Sequence, residues 1–142
     1  MDANALLGDY SPVIRKAALG DLEAQRWMRA GALRDARTPM PGIDEIGSYE
    51  LLFWSRLCAS HGHEEDAIFL AAVLHHVSHW VGQRGVGDLA GRMMAEGVAI
   101  LDRLSDEGSD AAMAALADMS GRVCPELLNY ANEMKREVAD AG

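Results

Sequence analysis

Glu64-Glu65-Asp66-Ala67-Ile68-Phe69-Leu70-Ala71-Ala72-Val73-Leu74-His75-His76-Val77-Ser78-His79-Trp80-Val81 is the stretch that decides the fold class. Leu70, Val73, Leu74, Val77 and Val81 recur at steps of three and four, which at about 100° per residue puts them on one stripe of an α-helix. His75 and His79 lie across the helix from that stripe, beside Ile68 and Ala72, and form a second, half-polar face. From Ala67 to Gln83 the chain is nearly uncharged, yet with three histidines and Ser78 it is too short and too polar to cross a bilayer.

The same period extends on both sides. Ser11-Pro12 supplies a cap and a first-turn proline for an opening helix carrying Val13, Ile14, Ala17 and Ala18, which Gly20 ends. Asp21 opens a second, with Ala24, Trp27, Met28 and Gly31 on one face. Pro39, Pro41, Gly42 and Gly47 make Arg34 to Ser48 the longest loop. A third helix is predicted over about Tyr49 to Ser60, stopping at Gly62. After the Glu64–Val81 helix, Gly82, Gly85 and Gly87 break the pattern. A fifth helix carries Val86, Leu89, Met93, Gly97, Ile100 and Leu104 and ends at Gly108. Ser109 or Asp110 caps a sixth with Ala112, Leu116 and Met119. Pro125 starts a seventh with Leu127, Leu128, Ala131, Met134 and Val138 facing inward. No window of alternating β-branched residues competes, so the fold class is all-α.

A chain of 142 residues, 49% apolar and 25% charged, is one domain by size and buries a core without disulfides or metal. The N-terminus shows no basic segment followed by an apolar run, so no secretory signal is expected and the protein is expected in the cytoplasm. Cys58 and Cys124 lie far apart, each inside a helical pattern, and read as two small buried hydrophobes. The net charge of −9 is uneven: residues 1–40 carry six basic and five acidic groups, residues 41–87 two and six, and residues 88–142 five and eleven. Such a surface repels phosphates and argues against nucleic acid as a partner.

Three glycines occupy equivalent helix-to-helix junctions, Gly20, Gly62 and Gly108, 42 and 46 residues apart. Each suits the left-handed turn that glycine adopts without strain. The first reads Gly20-Asp21-Leu22-Glu23-Ala24-Gln25; the second follows Tyr49-Glu50 and Phe53-Trp54; Gly85-Val86 falls in a loop between helices. This pattern resembles the Sel1-like repeat, a relative of the tetratricopeptide repeat, whose signature is an Ala-rich helix with an aromatic pair ending in Gly-Asp-x-x-Ala-Gln. The resemblance covers roughly residues 10–120. It implies a short α-solenoid of about three antiparallel helix pairs with the last helix as a cap. An extra residue before Ala67, longer loops around 34–48 and 82–92, and a third repeat without aromatics depart from the pattern; an irregular helical bundle is the alternative.

The resemblance also implies that the first helix of each pair lines a concave binding side. Gln25, Phe69, Ala72, His75, His79 and Trp80 are therefore the candidate groove residues for a protein or peptide partner. Trp80 lies between the two helix faces near the Gly-rich loop, whereas Trp27 and Trp54 read as core. Arg26 and Arg37 share a side of the second helix and suit either an anionic group or an exposed charged face. Met93, Met94 and Met113 read as core filling. All five histidines fall between positions 61 and 79. The His75/His79 spacing would serve two metal ligands, with His61 or His63 as further candidates, but there is no Glu in the metalloprotease position. No metal or cofactor is expected.

No Gly-rich phosphate loop, nucleophile setting or paired carboxylate is evident, so no enzyme activity is expected. The leading expectation is a protein–protein interaction module. The rivals are an acidic inhibitor or immunity-type protein that blocks a basic partner through residues 88–142, and a histidine-based metal-binding protein.

Overall fold

The structure, a computed structural model, describes residues 12–120. They form six helices: α1 over 12–18, α2 Leu22–Ala36, α3 Ile43–Ala59, α4 Glu64–Gln83, α5 Gly87–Asp106 and α6 Asp110–Ser120. No strand occurs among the described residues, and the expected all-α class holds. No helix among them is long and apolar enough to cross a membrane. The seventh helix expected from Pro125, the cap at Ser11 and Cys124 lie outside the described residues.

Every connection between these helices contains one glycine of positive φ: Gly20, Gly42, Gly62, Gly85 and Gly108. At Gly20 the turn is a Schellman motif, in which Gly20 N–H donates to the Ala17 carbonyl at 3.1 Å and Asp21 N–H to Lys16 at 3.0 Å. Gly85 and Gly108 repeat it, Val86 N–H reaching Val81 and Ser109 N–H reaching Leu104. The next residue then starts the following helix. Asp21 caps α2 by accepting from Ala24 N–H at 2.8 Å, and Ser109, rather than Asp110, caps α6 through Ala112 N–H at 3.0 Å.

The chain divides into two compact units, one ending at His61 and the other beginning at Gly62. In the first, α2 packs along α3. Among the described residues its core is made of small groups, Ala17, Ala24, Ala32 and Cys58, with Leu51 as the one large apolar side chain, and it includes the buried polar residues Gln25, Glu45, Ser48 and Ser55. Helix α3 starts six residues before the expected Tyr49, because Gly42 takes the turn and Ile43-Asp44-Glu45 begins the helix with acidic groups at its positive end. Gly47 is no breaker. A Cβ there would lie 2.6 Å from the Ala36 backbone nitrogen, so glycine is what lets the end of α2 touch α3. Trp27 is not core: it is 50% exposed, and α2 turns Ala24, Gln25 and Ala32 inward instead. Trp54 is half-buried.

In the second unit α4 packs along α5, and α6 lies against α5 and more lightly against α4. Leu70, Val73, Leu74, Val77 and Val81 are all buried, as the period of α4 requires. Burial of each such aliphatic side chain contributes about 1.5–3 kcal/mol. From α5, Met93, Ala95, Val98, Leu101 and Leu104 close the core with Ala112 and Met119 of α6. Gly97 is the closest approach: a Cβ on it would stand 3.1 Å from the Ala71 carbonyl oxygen.

Candidate functional site

Helix α4 is fixed at its start by chemistry that the motif predicts in part. His63 is the N-cap residue, and Glu64, Glu65 and Asp66 fill the first turn, where the helix dipole favours negative charge. Glu64 also accepts a hydrogen bond from the Ser109 hydroxyl, tying the start of α4 to the cap of α6. With α4 so placed, its half-polar face looks into two recesses inside the second unit.

The first, about 210 Å³, is lined by Ile68, Ala72 and His75 of α4, Leu101 of α5, and Ala115, Asp118 and Met119 of α6. The second, about 430 Å³, is lined by His75, Ser78, His79, Gly82 and Gln83 of α4 and Met94 of α5. His75 lines both recesses. The hydroxyl of Ser78 donates to the His75 carbonyl at 2.6 Å, and the Gln83 amide stands 3.0 Å from His79 Nε2. Partial burial, then the neighbouring His79 and His75, hold the His76 imidazole below its ordinary value of 6.5.

Of the candidate groove residues, Ala72, His75 and His79 are brought together on this face. Phe69 and Trp80 are half-buried and line neither recess. Gln25 is a correction. It is 3% exposed and belongs to the first unit. Its amide donates to the Ala17 carbonyl at 3.0 Å and its Oε1 stands 2.9 Å from His61 Nε2, which leaves neither end for a partner. Arg26 pairs with Glu23 at 3.0 Å, and Arg37 is the exposed C-cap of α2.

His63 does not join the histidines further along α4. His63 sits at the start of α4, twelve residues and so about 18 Å before His75 along the helix. Among the described residues no group of three or more His, Cys, Asp or Glu is placed to hold a metal ion. The sequence reading missed Leu101, Ala115, Asp118 and Met119. Periodicity marked Met119 as apolar-face, but which positions border a gap depends on how three helices meet.

No protein-family model matches the chain, and comparison with curated proteins and with solved structures finds no match either.

Proposed function

We propose that the protein is an interaction module, whose second unit takes an amphipathic segment of a partner protein along α4. The observation that supports this is the pair of recesses that share His75 in their lining. Ile68, Ala72, Leu101, Ala115 and Met119 offer a bed for apolar side chains, and Asp118 supplies an acid at its edge. A concave apolar surface with a few polar groups is the usual form of a binding site. The acidic balance of the chain, −9 overall with eleven acidic against five basic groups after position 87, favours a segment that carries basic residues. The Sel1-like reading is part of the same proposal. The positive φ of Gly20, Gly62 and Gly108 fits its helix-to-helix junctions, a feature that Gly42 and Gly85 share. The compartment proposed is the cytoplasm.

The test uses the full chain as bait in extract of its native cells, beside the variant Ala72→Glu. Ala72 is exposed and lines the recess, so the variant puts a charge into the bed without disturbing the core. A partner held by the wild type and lost by the variant is expected. A synthetic basic amphipathic segment of that partner should then shift the NMR resonances of Ile68, Ala72, His75 and Met119. Binding that is unchanged in Ala72→Glu, or shifts that leave these four residues untouched, refutes the proposal.

A further inference from the structure

Gly31 lies in the interior of α2, where glycine weakens a helix relative to alanine because it gives up more freedom on folding. Gly47 and Gly97 offset that cost by letting helices touch. At Gly31 nothing in the packing does so: a Cβ there would meet no atom within 4 Å, and the residue has no positive φ. A local rule broken without a structural gain points to a use for the space itself. That space is a recess of about 310 Å³ in the first unit. One turn before Gly31 stands Trp27, 50% exposed, with Met28 beside it; one turn after stand Arg34 and Asp35, and Glu50 of α3 borders the same recess. At about 100° per residue Trp27, Gly31 and Arg34 fall within about 60° of one another. The missing side chain therefore leaves a notch in the helix surface, with about 10 Å between the backbones of Trp27 and Arg34. The Arg34 guanidinium and the carboxylates of Asp35 and Glu50 make no ion pair or side-chain hydrogen bond among the described residues. Charges of both signs are thus uncommitted in one recess that also offers an aromatic surface.

We propose that this recess binds a free α-amino acid with an aromatic or large aliphatic side chain. Its carboxylate pairs with Arg34, whose fork of donors matches a carboxylate. Its ammonium is held by the carboxylates of Asp35 and Glu50, and its side chain lies over Gly31 against Trp27 and Met28. An organic cation would leave Arg34 unmatched, and an organic anion would meet two carboxylates, so a zwitterion is what suits all three charges. The recess is at the small end of the range of ligand sites. Trp27, Arg34, Asp35 and Glu50 are all exposed to water, which weakens each charged contact. The dissociation constant is accordingly on the order of 0.1–1 mM. The site belongs to the first unit and does not depend on the reading of the recesses along α4.

NMR titration of the full chain with L-phenylalanine is expected to give saturable shifts at Gly31, Arg34, Glu50 and the Trp27 indole N–H. Removing either charge of the ligand, as in N-acetyl-phenylalanine or phenylalanine amide, should weaken binding about fivefold or more, the loss of one charge-assisted contact. The variants assign the two ends. Arg34→Gln should weaken binding of the amino acid but not of its amide, and Glu50→Gln should weaken binding of the amino acid but not of the N-acetyl form. Gly31→Leu fills the notch and should abolish binding; the Cβ has room and leucine favours helix, so circular dichroism and the thermal midpoint should show the fold kept. The proposal is overturned if L-phenylalanine, L-tryptophan, L-leucine and L-methionine at about 10 mM, well above the expected dissociation constant, all leave these resonances unmoved. It is overturned equally if folded Gly31→Leu binds as the wild type does. Binding of the amide or the N-acetyl form as tight as that of the amino acid also overturns it, since the site then reads one charge and not a zwitterion.

Discussion

His61 and Gln25, 36 residues apart in the chain, meet with the ring Nε2 2.9 Å from the amide Oε1. Because Gln25 Nε2 donates to the Ala17 carbonyl, its Oε1 is the acceptor, and the His61 ring must carry its hydrogen on Nε2. One buried amide thus joins the end of α1, the body of α2 and the turn after α3. Gln25→Ala leaves the Ala17 carbonyl without this donor and should lower stability by about 1–3 kcal/mol. His61 is exposed, so water replaces it, and His61→Ala should cost less than half as much. Urea denaturation of both variants checks the order. Equal losses would show that the amide is not the centre of this junction.

The helical glycines separate into those that need the missing side chain and those that do not. Gly47→Ala drives a methyl against Asp35 and the Ala36 backbone nitrogen, within 2.6–2.7 Å, and should cost about 1–3 kcal/mol or more. Gly97→Ala meets the Ala71 carbonyl at 3.1 Å and should lose less. A methyl at Gly31 would have no neighbour within 4 Å, and Gly31→Ala should gain about 0.5–1 kcal/mol by stiffening the unfolded chain. Thermal midpoints in that order, Gly31→Ala above wild type and Gly47→Ala lowest, are the expected result.

A different cost applies at the turns. Gly20, Gly85 and Gly108 have open space around them but φ of +98°, +83° and +96°, a region where a Cβ is strained by about 1–2 kcal/mol. Alanine at each should lower the denaturation midpoint by that amount, and an unchanged midpoint for all three would remove the Schellman turns from the account.

These positions also show what the sequence made legible. The stripe of α4 was readable in full, since five aliphatic residues at helical spacing have one way to be buried together. The start of α3 was not, because a glycine that permits close helix approach is spelled the same as one that ends a helix. Trp27 was misplaced for a related reason. A large apolar residue suggests core, but α2 gives its inward face to Gln25 and to Ala24 and Ala32, small groups that its closeness to α3 favours. At the candidate site, Ala72, His75 and His79 follow from the period of a single helix. The residues facing them from α5 and α6 follow only from the packing of three.

The histidine face should not hold a metal ion tightly. His75 and His79 are one helical turn apart, but no third ligand joins them among the described residues, and the Gln83 amide stands at His79 Nε2. Calorimetric titration with Zn²⁺ is expected to show no one-to-one site in the micromolar range. A single tight equivalent that disappears in the double variant His75→Ala/His79→Ala would restore the metal-binding alternative.

Acid should weaken the protein through His76 in particular. Its folded-state value lies below the ordinary 6.5, first because its ring is partly buried and then because of His79 and His75. The unfolded chain therefore takes up a proton near pH 6.5 while the folded chain still resists it, so the unfolded state binds more protons across that interval. Stability is undiminished by this group above about pH 7, falls as the pH drops through 6.5 towards the lowered folded value, and falls no further from this source below it. Urea midpoints taken at half-unit steps for wild type and His76→Gln should diverge over that window, the wild type losing more. NMR titration of the ring gives the second reading: in His79→Gln the His76 midpoint should move up, towards 6.5, by only part of the deficit, because burial is the larger cause. Parallel midpoint curves for wild type and His76→Gln, or a His76 ring that titrates at 6.5 in the wild type, would refute the assignment.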